Sequence, residues 1–315
     1  MATRNMLYDR GLLPVSRIQV PVVSIGNLTT GGTGKTPVVA WSITELKRLG
    51  MQPGILSRGY QAFSDQENDE KRVLDLLCPG TPHILQRDRI AGARQLVGVH
   101  GVNSIVLDDA FQHRRLHRDV DIVLLDALNA WGFGRLLPRG LLRESVKSIR
   151  RAHAVILTRC DAVTPHAVSH LLTEIRALTQ VPALQTRFQV LGLRSTTGEF
   201  IPVSNMLLQG RKFAAFCGIG NPDGFRRTLQ SLTGADMPLT VFPDHHHYSQ
   251  TEWDALNASH QPDLWLTTLK DLVKVQHLDL GESSIFAVEI GLEFLDDPLP
   301  VRELLRQAAN QKPLG

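Results

Sequence analysis

Short apolar runs alternate with longer amphipathic stretches along most of the chain. Val20–Ile25, Ser104–Leu107, Asp121–Leu125 and Ala154–Thr158 are almost continuously apolar, as strands covered on both faces are. Between them, Pro37–Leu49, Asp88–Val99 and Pro165–Leu178 carry apolar residues at helical spacing. This alternation predicts a doubly wound α/β domain with a mainly parallel sheet. Around Thr196–Arg211 the pattern loosens into Thr-Thr-Gly-Glu and then Gln-Gly-Arg-Lys, and a domain junction is expected there, dividing the chain into 1–200 and 201–315. A second alternating set follows: a strand at Phe213–Cys217, a helix after Pro222, a strand at Leu239–Phe242, a helix from Gln250 and a strand at Leu264–Thr267. It predicts a second, smaller α/β domain. Ser64–Arg72 (SDQENDEKR) reads as a polar loop.

The 315 residues are 43% hydrophobic and 21% charged, which excludes a disordered or collagen-like chain. Thirty-four Lys and Arg against 31 Asp and Glu leave a formal charge of +3. That balance argues against nucleic acid as a partner. Cys78, Cys160 and Cys217 are far apart and form no CxxC pair, so a disulfide framework or zinc ribbon is not expected. No stretch reaches the roughly 18 apolar residues of a membrane span, and MATRNMLYDRGLLPV lacks the apolar region of a signal peptide. The expectation is a cytoplasmic protein of enzyme size with no obligate protein partner.

VVSIGNLTTGGTGKTPVVAW reads as a strand, a glycine-rich turn and a helix. Gly31, Gly32 and Gly34 let backbone N–H groups at Thr29–Thr36 wrap a phosphate. Lys35 supplies a point charge for the β and γ phosphates, and the Thr36 hydroxyl can ligate Mg²⁺. Thr29 stands where the full G-x-x-x-x-G-K-[ST] motif has glycine, so the match is to the GGxGKT core. A nucleotide triphosphate site needs a further carboxylate for the metal. Ser104–Leu107 leads into Asp108 and Asp109, which places acids at the C-terminal end of a buried strand, where ligands bind in open α/β sheets. Asp126, ending DIVLLD, competes for the same role.

Three classes fit such a loop. Thr158-Arg159-Cys160-Asp161 approaches the [NT]KxD guanine-reading motif of small GTPases. A partitioning-type ATPase would carry lysine where Thr30 stands. A kinase for a small or lipid acceptor is the third.

Further runs are more specific. GNLTTGGTGKTP, SRGY (Ser57–Tyr60), DRIAGAR (Asp88–Arg94), LDDAFQHRRLHRDVDIVLLD (Leu107–Asp126), GFGRLLPRGLLRES (Gly132–Ser145), FCGIGNPDGF (Phe216–Phe225), FPDHHHY (Phe242–Tyr248) and TTLKDLVK (Thr267–Lys274) occur in that order. In this the chain resembles the tetraacyldisaccharide 4'-kinase family of lipid A biosynthesis, from about Leu7 to Lys274. The resemblance implies transfer of the ATP γ-phosphoryl group, with Mg²⁺, to the 4'-hydroxyl of a tetraacylated glucosamine disaccharide 1-phosphate. It also implies peripheral contact with the cytoplasmic face of the inner membrane.

The resemblance implies roles as well. The family has a Gly-Asp-Glu-Pro-like segment after SRGY, and Asn68-Asp69-Glu70-Lys71 stands in its place, making Asp69 the base and Glu70 its neighbour. His245, after Asp244, would orient that carboxylate from the smaller domain, with closure of the two domains over ATP. Asp109, Gln112, Arg135 and Arg143 would serve the substrate. A basic stretch running from Arg114 to Arg151 could hold the acceptor phosphate, the ATP phosphates or lipid headgroups, though a solvated helix face explains about half of it. Leu269 departs from the family's Thr-Glu-Lys-Asp, while Lys270 and Asp271 match it. Family members carry an apolar or amphipathic helix before the segment corresponding to LYDRGLLPV. Either the chain's start lies upstream or docking relies on the basic patch and exposed apolar residues. A phosphate-loop switch and an inactive nucleotide-binding homologue are the remaining readings.

Overall fold

Every residue from Val22 to Asn27 is buried, and this strand is the axis about which the larger part of the chain is arranged. The computed structural model describes residues 2–59, 69–202 and 210–311. The chain divides into two compact units, Met1–Phe188 with Leu292–Gly315, and Gln189–Gly291.

In the larger unit, β1 (Val22–Asn27), β2 (Pro53–Ser57), β3 (His83–Leu85), β4 (Ser104–Asp108), β5 (Val120–Asp126), β6 (Ala154–Thr158) and the first part of β7 (Ala183–Ser195) are ordered β7-β6-β5-β1-β4-β2-β3. All of these pairs are parallel. Successive strand residues face opposite sides, so each side needs its own helices. Val23 and Ile25 pack with Val38, Val39, Ile43 and Leu46 of α2 (Lys35–Arg48) and Leu74 of α3 (Asp69–Leu77). Val22 and Ile105 face the other way, onto Ile90, Ala93 and Leu96 of α4 (Arg89–His100). Val155 and Leu157 meet Val168, Leu172 and Ile175 of α5 (Pro165–Leu178) on that second side. This is the doubly wound α/β arrangement expected. The order reverses at β1, which lies between β4 and β5, so a crevice opens at the carboxyl ends of β1 and β4. A further helix, α1 (Ala2–Asp9), precedes β1. No helix among the described residues is long and apolar enough to cross a membrane.

In the smaller unit the remainder of β7 pairs antiparallel with β8 (Phe200–Pro202). β9 (Phe213–Cys217), β10 (Leu239–Val241), β11 (Leu264–Thr268) and β12 (Ile285–Phe294) are parallel, in the order β10-β9-β11-β12. Phe225 and Leu229 of α6 (Pro222–Thr233) cover Ala215, Cys217, Leu264 and Leu266. Trp253 of α7 (Gln250–His260) and Trp265 of β11 meet Phe216 edge-on, with ring centroids 6.0 and 5.9 Å away. α8 (Leu269–Val275) follows β11 directly.

Two expectations need correction. The division at 1–200 and 201–315 differs from the compact units: the boundary falls within β7, and Leu292–Gly315 return to the larger unit. Strands that serve two cores show no compositional break. The returning segment ends in α9 (Leu299–Ala309), whose Val301, Leu305 and Ala308 enter the same core as α2. Nor is all of Ser64–Arg72 a loop, because Asp69–Arg72 open α3, where Val73 and Leu74 supply a small buried face. Residues 64–68 lie outside those described.

Candidate active site

The glycine-rich turn leaves β1 and closes on Lys35, the first residue of α2. Gly34 precedes that helix with φ 81° and gives it no side-chain cap, so the first-turn N–H groups keep their capacity for an anion. Gly31 also has a positive φ, of 104°. Nothing lies within 4 Å of an added Cβ at Gly31 or Gly32, whereas one at Gly34 would fall 2.2 Å from Phe188 Cζ. Neighbouring segments strap the turn in place. Asn27 Nδ2 donates to Thr33 Oγ1 at 3.1 Å, and Thr158 Oγ1 donates to Thr33 O at 3.0 Å. Arg159 Nη2 donates to Gly32 O at 2.8 Å, and its guanidinium also pairs with Asp126. Arg159 thus links Asp126 to the loop. Thr30 N donates to Leu141 O and Arg143 N to Leu28 O, both at 2.8 Å, which ties the turn to the 141–143 segment.

At the end of β4 the two acids have different surroundings. Asp108 is buried, accepts from Ser57 Oγ at 3.3 Å, and its carbonyl accepts from Arg89 Nη2 at 2.9 Å. Burial pushes its pKa up to about 6, against the opposing charge of Lys35, and Glu70 and Asp109 push in the same direction as burial. Asp109 takes a left-handed backbone, φ 50°, that turns its carboxylate toward the loop. Lys35 Nζ lies 3.6 Å from it, and Arg143 Nη1 donates to both oxygens at 2.8 Å. Burial opposes ionisation here too, but Lys35 and Arg143 outweigh it and hold the pKa below the ordinary value. Gln112 Nε2 donates to Asn27 O at 2.8 Å, and Arg4 of α1 donates to Gln112 O at 2.8 Å.

Lys35, Asp108, Asp109, Gln112 and Arg143 are thus gathered at one strand end. Asp69 and Glu70 open α3, and the charge of Glu70 reaches Asp108. Arg135 is exposed on the loop that follows β5, and its carbonyl accepts from Leu142 N at 3.1 Å. Much of the basic stretch is paired, Arg114 with Asp9, Arg118 with Asp121 and Arg151 with Glu144, while Arg135 and Arg139 are exposed and Lys147 is exposed on a short 3₁₀ helix, Val146–Arg151.

In the smaller unit His245 is exposed, with φ 59°, and its N–H donates to Asp244 Oδ1 at 3.1 Å. The three adjacent histidines do not converge on an ion. His246 stacks on Phe242 with centroids 4.7 Å apart and lies 3.1 Å from Glu252 Oε1. Asp271 is fully buried, accepting from Tyr248 Oη at 3.0 Å and Thr268 Oγ1 at 2.7 Å, a structural use of the KD pair. Ser57 and Arg89 fall within the SRGY and DRIAGAR runs but have no role assigned there, while His83 and Phe188 lie outside every motif read from the sequence. Arg89 has one buried nitrogen, Nη1, without a hydrogen-bond partner among the described residues, and burial lowers its pKa to about 10.

An oxygen-only donor set at a buried carboxylate suits a hard cation that keeps several waters. Among the described residues no three His, Cys, Asp or Glu cluster as a self-sufficient metal cage would require. The Thr36 hydroxyl and Asp108 therefore fit Mg²⁺ held jointly with nucleotide phosphates, and the open backbone at Gly31 and Gly32 fits the phosphates.

The profile of the family described as LpxK, tetraacyldisaccharide-1-P 4'-kinase, matches residues 1–310. The chain is 39% identical to a tetraacyldisaccharide 4'-kinase of Anaeromyxobacter dehalogenans over 295 residues, covering 87% of this chain and 77% of that one. It is 34% identical to the enzyme of that name from Syntrophotalea carbinolica, covering 99% and 89%. A crystal structure of LpxK from Aquifex aeolicus in complex with ATP superposes with a TM-score of 0.78 at 30% identity, over 98% of this chain and 94% of that one.

Proposed function

The chain belongs to the tetraacyldisaccharide 4'-kinase family, and from that premise we propose how its residues divide the work of the reaction. It is an ATP-dependent kinase of lipid A biosynthesis. It moves the γ-phosphoryl group to the 4'-hydroxyl of tetraacyldisaccharide 1-phosphate. The observation that carries the residue assignment is the convergence of Lys35, Asp108, Asp109 and Arg143 where the phosphate turn meets the end of β4.

The N–H groups of Thr29–Thr36 and the Lys35 ammonium hold the phosphates and stabilise charge as the γ-phosphoryl group moves. Asp109, shared between Lys35 and Arg143, keeps both cations aimed at the same region. Thr36 and Asp108 would hold Mg²⁺, which when bound would supply charge neutralisation at the phosphates. Asp69 accepts the proton of the acceptor hydroxyl late in transfer, with Glu70 beside it. Gln112 braces the turn through Asn27, and Arg143 and Arg135 face the acceptor's anionic groups. Asp69→Ala should lower kcat by about 10²–10⁴ with ATP affinity retained. Rapid-quench single-turnover kinetics beside equilibrium ATP binding would show it, and an unchanged kcat would remove Asp69 from the role.

The chain also makes peripheral contact with the cytoplasmic face of the inner membrane. Support comes from the loop after β5, where every residue from Phe133 to Arg139 is exposed, with Phe133 at 74% and Leu136 and Leu137 at 50% each. Arg135 and Arg139 lie among them, and no acid occurs from Ala127 to Arg143. Apolar side chains with interspersed arginines suit an anionic lipid interface. Vesicles containing phosphatidylglycerol should sediment the protein, and Phe133→Ser with Leu136→Ser should weaken that. Equal sedimentation would move docking elsewhere.

A further inference from the structure

His83 and Asp75 lie outside every motif read from the sequence, yet they form a hydrogen-bonded path into the site. Asp75 Oδ1 is 2.8 Å from His83 Nδ1, and His83 Nε2 is 3.0 Å from Ser57 Oγ. Ser57 Oγ in turn donates to Asp108 Oδ2 at 3.3 Å. Lys71 closes the outer end by pairing with Asp75. The path runs from α3 through β3 and β2 to the end of β4. The His83 side chain is 1% exposed.

The Ser–His–Asp spacing is that of an activated nucleophile, but this serine is buried and its hydroxyl faces a carboxylate. No acyl group can approach it. A bland structural use is also unsatisfying, because buried polar groups cost stability unless fully paired and a leucine would fill the space without that cost. What the path does connect is informative. At one end is the carboxylate that fits the metal. At the other is a helix of nine residues whose first turn carries Asp69 and Glu70 and whose buried face is only Val73 and Leu74. Leu77 adds a partly buried contact to that face, and Cys78 follows it into the core.

We propose that His83 is a positioning residue that fixes α3 to the Asp108 strand end, through Asp75 on one side and Ser57 on the other. This rests on the reading of Asp69 as base and Asp108 as metal ligand. The Ser57 arm orients the Asp108 carboxylate. The Asp75 arm sets where α3, and hence Asp69, lies against the strand ends. Partners of ligating groups are typically worth about 10–100-fold in metal affinity or activity.

The two arms separate experimentally. Ser57→Ala should weaken Mn²⁺ binding in the presence of a non-hydrolysable ATP analogue, read by electron paramagnetic resonance, by about tenfold or more. Metal-free analogue binding should stay the same, and Ser57→Thr should restore the metal. Asp75→Ala should lower kcat by about tenfold or more with the ATP KM unchanged, and Asp75→Asn, which keeps an acceptor, should recover most of it. His83→Leu decides between positioning and packing: it should keep the melting temperature and lose both kcat and Mn²⁺ affinity. A His83→Leu protein with wild-type kcat and Mn²⁺ binding would overturn the proposal. If Asp69→Ala leaves kcat intact while Ser57→Ala still weakens Mn²⁺ binding, the base assignment and the α3 arm fall and the Asp108 arm stands.

Discussion

Asp108 keeps a carboxylate where burial opposes its charge. Its folded pKa of about 6 lies above the ordinary 3.8, so the nucleotide-free fold holds this proton more tightly than the unfolded chain. That contributes stability present in full below the unfolded value and lost as pH rises through the folded one. The wild-type melting temperature should therefore fall relative to Asp108→Asn between about pH 4 and pH 6. Thermal scans of both proteins across that range check it, and because Asp121 is buried in both, its titration cancels. Lys35→Ala should cost about 10²–10³ in kcat, as loss of a group aimed at developing charge does. Asp108 and Lys35 were legible in the sequence, because an acid ending an apolar run and a lysine after glycines carry their chemistry in their neighbours. Ser57 was marked only as the start of SRGY, with no role, and His83 was not marked at all: strand pairing puts Ser57 beside Leu85 and His83 beside Ile55, which no local pattern encodes.

The glycine-rich turn has demands of its own. Gly34 combines φ 81° with the Phe188 ring 2.2 Å from any added Cβ, so Gly34→Ala should destabilise by about 1–3 kcal/mol and abolish ATP binding. Gly50, at φ 78° with nothing within 4 Å of an added Cβ, is the control. Gly50→Ala should lose stability but keep ATP affinity, and calorimetry of both variants separates strain from site geometry. Helix α9 is the other element whose removal is informative. Leu305 is fully buried against the α2 core, and Leu305→Ala should cost about 2–5 kcal/mol in denaturant unfolding. The elements read most directly were those with strong periodicity and recognisable ends: Ala154–Thr158, Pro165–Leu178 after the Thr164 cap, and Phe213–Cys217. α3 was hidden because its first turn is charged and its apolar face is short.

At the scale of the whole chain, the two-unit organisation was legible and its boundaries were not. The chain leaves the larger unit within β7 and re-enters it within β12, and both crossings occur inside strands where composition does not change. The phosphate turn and the acids proposed for the reaction belong to the larger unit, while His245 and the buried Asp271 belong to the smaller one. The most direct test of the residue assignment is transfer of label from γ-labelled ATP to detergent-dispersed tetraacyldisaccharide 1-phosphate with Mg²⁺. The wild-type protein should label the lipid, Lys35→Ala should label it about 10²–10³-fold more slowly, and Asp69→Ala should bind ATP normally while transferring slowly. Label reaching the lipid at an undiminished rate in Lys35→Ala, or ATP hydrolysis at full rate without acceptor, would contradict it.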